Sequence, residues 1–167
     1  VMEKAAKVLN DFKVPFEMHA LSAHRTPVEV EQFAKGAAGR GIEVIIAAAG
    51  MAAHLPGVIA ASTTVPVIGV PISATLQGMD ALLAIVQMPP GIPVATVGVD
   101  AAMNAGLLAV QMLAVGDARL KQELVDYKES LKSKIVKANE DLKDEQVRYR
   151  LGYVQNCRMR LCGVQSL

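Results

Sequence analysis

Cysteine, net charge and uninterrupted apolar sequence are all scarce in this chain, and each scarcity removes a class of function. Its two cysteines, Cys157 and Cys162, sit together near the C-terminus. With no second pair and no histidine nearby they indicate neither a zinc site nor a disulfide framework, and a reducing, cytoplasmic setting is the default expectation. A formal net charge of +1 denies the chain the long-range positive field of a general nucleic-acid binder, so a small ligand is the expected partner. No apolar stretch of about 18 residues or more runs without Gly, Pro or a charge, and no membrane span is expected. Val1-Met2-Glu3-Lys4 lacks the basic and apolar blocks of a signal peptide. A start at Val1 instead of an initiator Met suggests that the natural chain begins elsewhere.

What is present is ample apolar material. Of 167 residues, 52% are apolar and 20% charged, the opposite of a disordered composition. A length near about 150 residues predicts one domain whose core needs no metal or disulfide support. Four short β-rich runs, residues 16–21, 42–48, 65–72 and 93–99, alternate with longer segments containing Ala, Leu and Lys. The runs are mostly apolar, as strands covered by helices on both faces are, so the reading is α/β with a parallel sheet.

Thr26-Pro27-Val28-Glu29 offers a capping hydroxyl, a proline at the first helical position and a glutamate at the third, which predicts a helix from Pro27 with a capping box. That helix should stop near Gly39 and Gly41. Helices are also expected at Pro56, over residues 78–88 and over 101–115, completing a strand–helix alternation. Leu120, Leu124, Tyr127, Leu131, Ile135 and Leu142 then recur at helical spacings, marking one long amphipathic helix over 117–143. It either packs on its own domain or reaches a neighbouring subunit. Residues 1–143 are thus expected to form one domain. Residues 144–167 hold Arg148, Arg150, Arg158 and Arg160 dispersed among Leu, Val and Gln, and read as a solvated or appended extension more than as a nucleic-acid patch.

Ligands of open parallel α/β sheets bind beyond the carboxyl ends of the strands. His24 follows the run ending at Leu21, and His54 follows the run ending at Ala48. If both strands are parallel, both histidines lie on one edge, where an imidazole with an ordinary pKa of about 6.5 can act as general acid or base. Each taken alone equally suits a helix-capping or surface role. His19, inside a predicted strand, is read as a packed or edge side chain. Arg25 immediately precedes a helix N-terminus, a combination that receives phosphate or carboxylate. Ala47, Ala48, Ala49, Gly50, Ala52 and Ala53 permit close backbone approach to a flat ligand, although they also serve plain packing. A Walker loop, a Gly-x-Gly-x-x-Gly fingerprint and a Gly-x-Ser-x-Gly elbow are all absent, and the histidines lack metal-ligand spacing.

Four blocks, Ser22-Ala23-His24-Arg25-Thr26-Pro27, Ala49-Gly50-Met51-Ala52-Ala53-His54-Leu55-Pro56-Gly57, Val65-Pro66-Val67-Ile68-Gly69-Val70-Pro71 and Gln87-Met88-Pro89-Pro90-Gly91-Ile92-Pro93-Val94, together resemble the PurE family. That family comprises the N5-carboxyaminoimidazole ribonucleotide mutases of purine biosynthesis. The resemblance implies a three-layer α/β/α flavodoxin-like subunit with a long C-terminal amphipathic helix, a homo-octamer, and no metal or organic cofactor. It further implies that His24 removes the carbon-bound proton, that Ser22 and Ala23 contact the migrating carboxylate, and that Arg25 holds the ribose phosphate. Gly50 and Ala52 would line the pocket for released carbon dioxide, His54 would flank it, and residues 89–91 would cover it.

The family also begins with a β-strand and a Gly-Ser-x-Ser-Asp loop, whereas Val1-Met2-Glu3-Lys4-Ala5-Ala6 resembles the helix after that loop. In a flavodoxin-like 2-1-3-4-5 order the missing strand is internal, so both its neighbours lose a ladder partner, at about 1 kcal/mol or more per unmade bond. The expectation is a shortened version of a complete enzyme that, as written, binds substrate weakly. Two rivals stand beside the mutase: a carbon-dioxide-dependent aminoimidazole ribonucleotide carboxylase, which commonly carries Lys where this chain has Arg25, and a non-catalytic ligand-binding or assembly remnant of the fold.

Overall fold

The structure, a computed structural model, describes residues 1–144. Three of the four apolar runs become strands of one parallel sheet: β1 (Ile45–Gly50), β2 (Val67–Ile72) and the short β3 (Ala95–Thr96), in the order β1-β2-β3. Ile45 stands opposite Val67 and Gly50 opposite Ile72, while Ile68 faces Ala95. Parallel neighbours need a crossover. Helix α3 (Leu55–Ala60) supplies the one between β1 and β2, and α4 (Met79–Val86) the one between β2 and β3.

Successive side chains of a strand point to opposite faces, and both faces here are covered. Ile45, Ala47 and Val67 pack with Ile59 and Ala60 of α3 and with Val30 and Ala34 of α2 (Pro27–Gly36). Ile68 and Val70 pack with Ala5 of α1 (Glu3–Asp11) and with Ala102, Ala105 and Ala109 of α5 (Ala102–Leu113). Helices α1 and α5 lie close because Gly106 has no side chain: a Cβ there would stand 3.0 Å from Val8 Cβ and 3.1 Å from the Ala5 carbonyl oxygen. The result is the helix–sheet–helix layering expected of fully apolar strands.

The last described helix, α6 (Ala118–Asp144), starts on an aspartate cap, with Asp117 Oδ1 accepting the Arg119 and Leu120 amide hydrogens at 2.8 and 3.1 Å. A first compact unit spans Val1–Lys128. Within it, Leu120 is buried beside Phe12, Val110 and Ala114, and the Phe12 and Tyr127 rings meet edge-on at 5.8 Å. The start of α6 therefore packs on its own domain. A second unit begins at Glu129, where the helix exposes Leu131 and Ile135. The expected basic tail lies outside the described residues, apart from Asp144, which closes the helix.

Two local expectations are corrected. Residues 16–21 form no strand, and Phe16 and Met18 are exposed. A strand exists only as half of a ladder, and no partner stands beside this run among the described residues. Between it and β1 lies a cavity of about 900 Å³ walled by both segments, by Ala5 and Leu9 of α1, and by Leu55 and Ile59 of α3. The free edge of β1 faces the same side. His19 is consequently an exposed side chain on an irregular segment, its ring 5.0 Å from Phe33 and its Nε2 3.2 Å from Glu17 Oε1. The capping box is the second correction. Pro27 does occupy the first turn of α2, but Thr26 makes no side-chain cap, because its hydroxyl is drawn back to Ser22. Helix α2 ends at Gly36, and a short 3-10 turn runs on to Gly41, which is left-handed at φ 80°.

Candidate active site

The first histidine turn is held together by its own hydroxyls. The Ser22 amide donates to Thr26 Oγ1 at 2.9 Å, the Thr26 hydroxyl donates to the Ser22 carbonyl at 3.0 Å, and the Arg25 amide donates to Ser22 Oγ at 3.3 Å. The Thr26 amide also donates to the Ser22 carbonyl at 2.9 Å. These bonds close a loop around Ala23 and His24 and deliver the chain into α2. His24 and Arg25 are exposed, while Ser22 and Ala23 are half-buried. An exposed imidazole and guanidinium at a helix start are free to meet an anionic ligand.

The second turn follows β1. Met51 and His54 both have left-handed backbone, at φ 56° and 45°. Such conformations cost side-chain-bearing residues on the order of 1–3 kcal/mol and persist only where surrounding structure imposes them. Gly50 lies where β1 meets the loop after β2, and a Cβ on it would stand 2.9 Å from Ala74 Cβ. Its smallness thus serves packing directly. Ala52 is exposed, and His54 is half-buried at the start of α3.

The two turns are anchored in one core. Leu21, which precedes Ser22, and Leu55, which follows His54, pack against the same buried cluster and line the same cavity. The cavity itself runs along β1 and is not lined by His24, Arg25 or His54. Among the described residues no group of three or more His, Cys, Asp or Glu side chains converges as a metal site would require.

Residues 1–134, which include both turns and the whole sheet, match the family described as AIR carboxylase. The chain belongs to the AIR carboxylase family. The N5-carboxyaminoimidazole ribonucleotide mutase of Pyrococcus abyssi is 60% identical over 133 residues, covering 79% of this chain and 76% of that protein. The protein of the same name from Methanocaldococcus jannaschii is 50% identical over 144 residues, covering 86% and 90%. The crystal structure of Treponema denticola PurE superposes with a TM-score of 0.74 at 27% identity, over 84% of this chain and 89% of that one.

Within this AIR carboxylase fold, backbone strain gathers where the strands end. Besides Met51 and His54 after β1, Leu76 and Gln77 after β2 and Asp100 after β3 are left-handed, at φ 43°, 55° and 56°. Asp100 ties two of these loops together, accepting the Ser73 amide at Oδ1 (3.1 Å) while its own amide donates to the Pro71 carbonyl at 2.8 Å. Thr75 and Asp80 hydrogen-bond across the start of α4. Sequence reasoning passed over Ser73, Gln77 and Asp100. The one signal available was their position after apolar runs, since nothing in residue type foretells a left-handed Leu or Gln.

Proposed function

We propose that this chain is an N5-carboxyaminoimidazole ribonucleotide mutase that moves a carboxyl group from the exocyclic amine to ring carbon 4, with His24 as its acid–base residue. The observation that carries the reading is the closed turn around His24, an exposed imidazole beside Arg25 at the start of α2. The mutases of P. abyssi and M. jannaschii, so similar over most of the chain, give it its substrate. Proton balance supports a single histidine. When the carboxyl leaves nitrogen as carbon dioxide, the nitrogen takes up a proton; when the gas recombines at carbon 4, that carbon gives one up. One imidazole donating the first and accepting the second returns to its starting state.

Arg25 is assigned to the ribose phosphate, where a guanidinium pairs with two oxygens at once. Ser22 and Ala23 are assigned to the carboxylate, Gly50 and Ala52 to the pocket wall, and His54 to its flank. Retaining carbon dioxide requires a dry enclosure, and His24, Arg25 and Ala52 are exposed in one chain. Further subunits must complete the enclosure, so a homo-octamer is part of the proposal, as is a cytoplasmic setting. No described helix is long and apolar enough to cross a membrane.

The family's description as AIR carboxylase favours one other reading, carboxylation of aminoimidazole ribonucleotide by free carbon dioxide. Arg25 stands against it, because that branch commonly carries Lys there. Supplying the carbamate in one assay, and aminoimidazole ribonucleotide with bicarbonate in another, separates the two. Carboxyaminoimidazole ribonucleotide should form from the carbamate, and His24→Asn should slow it by about 10²–10⁴-fold, the usual contribution of a positioned acid–base group. Product from the bicarbonate mixture alone, or unchanged turnover by His24→Asn, would defeat the mutase assignment.

A further inference from the structure

We infer that Gly57 is a positioning residue whose missing side chain seats the His54 imidazole. This deepens the mutase reading above, and its kinetic arm rests on that reading. Gly57 is buried in the first turn of α3, three residues after His54. A Cβ built on it would stand 2.0 Å from His54 Nε2, 2.5 Å from Cε1 and 2.7 Å from Cδ2. The imidazole therefore occupies the space that any other residue's side chain would fill.

Backbone conformation does not account for a glycine there. Its φ is outside the left-handed range, so the backbone does not require it. The three atoms nearest to the missing Cβ all belong to His54. In helices, glycine is less favourable than alanine. A helix of six residues carries that handicap at a buried position, where the His54 ring takes the space.

The ring also lacks the alternative means of being held. His54 makes no side-chain cap to α3, and its Nδ1 is buried without a hydrogen-bond partner among the described residues. Imidazoles are ordinarily oriented by the hydrogen bond that one nitrogen makes. Here, orientation comes from backbone and from shape: the left-handed φ of 45° and ψ of 35° at His54 turn the chain into α3, and the bare Cα of Gly57 receives the ring.

The seat predicts effects of opposite sign on the helix and on the ring. Gly57→Ala adds a good helix former but expels the imidazole, whereas a merely structural glycine would show both losses together. In the full chain, labelled at histidine and assigned by comparison with His54→Gln, Gly57→Ala should shift the His54 ring resonances and leave those of His24 in place. The melting temperature should not fall. Mutase turnover should drop by about 10-fold to 10²-fold, the scale of a displacement near 1 Å, and Gly57→Ala should cost nothing more in a His54→Gln background.

Unmoved His54 resonances in Gly57→Ala, or an equal further loss of turnover in the His54→Gln background, would overturn the inference. If Gly57→Ala alone fails to fold, the double variant with His54→Ala decides. Recovery of the fold supports the seat, and continued failure overturns it. If the parent chain shows no turnover of the carbamate, the resonances alone decide whether Gly57 seats the ring.

Discussion

Val67–Ile72 and residues 16–21 are runs of equal length that both read as strands in the sequence, yet the first is the central strand of the sheet and the second has no ladder at all. Ile68 and Val70 are fully buried between helices, whereas Phe16 and Met18 are 46% and 64% exposed. Composition contributes, since Val67–Ile72 carries four β-branched residues and residues 16–21 carry none. β2 has a parallel neighbour on each side, and residues 16–21 face a cavity of about 900 Å³ instead. Strand character belongs to a pair of segments, and a composition suited to a strand is only half of the requirement.

The largest contrast should appear in stability. Ile68→Ala removes a fully buried side chain from β2 and should cost about 2–5 kcal/mol in denaturant unfolding. Phe16→Ala, on the ladder-less run, should change stability by no more than about 0.5 kcal/mol, as at other exposed positions. Comparable losses from the two substitutions would mean that residues 16–21 are built into the core after all.

Hydrogen exchange sharpens the comparison within one strand. The Ile45 amide donates to the Pro66 carbonyl of the β2 side at 2.9 Å. Alternation along the strand then turns Ala47 and Ala49 toward β2 and points the Ile46 and Ala48 amides to the cavity. Ile46 and Ala48 should exchange at least about 10-fold faster than Ala47, because their opening needs no ladder bond to break. Uniform protection along β1 would show the edge to be covered.

The smallest effect concerns how the open side is tethered. Arg40 Nη2 donates to Glu17 Oε1 at 3.0 Å and to the Phe33 carbonyl at 3.4 Å, and its guanidinium lies 5.1 Å from the Phe33 ring centre. The hydrogen bond from Arg40, aided by its charge and by His19, lowers the Glu17 pKa below the ordinary 4.5. A carboxylate with a lowered folded pKa stabilises above its unfolded value, and that contribution is lost as pH falls through the folded one. The Glu17–Arg40 contact should therefore loosen on acidification below pH 4.5, read from the chemical shifts of residues 17–19, and Arg40→Ala should remove that dependence. A tether indifferent to pH in this window would assign the holding role to the Phe33 ring alone.

The two histidine turns were readable because their determinants are local. Pro27 and Pro56 mark helix starts by their own geometry, and they place His24 and His54 just before α2 and α3. The intended cap at Thr26 failed for an equally local reason that composition does not reveal, since Ser22 competes for the same hydroxyl. Gly57, by contrast, has no local signal beyond its place in the second block that resembles the family. Its meaning depends on where the His54 ring turns, and that follows from a left-handed φ no residue preference announces. Asp100 was invisible for a similar reason, as its partner Ser73 lies 27 residues away.

The sequence by itself determined the strand–helix alternation, the two histidine turns and the long final helix, because periodicity, helix-starting prolines and small residues act over a few neighbouring positions. Only the tertiary structure decided that residues 16–21 remain outside the sheet, that strained loops gather at one edge, and that a bare Cα receives the His54 ring. Those outcomes depend on what segments distant in sequence bring alongside, and contacts of that kind are made in space.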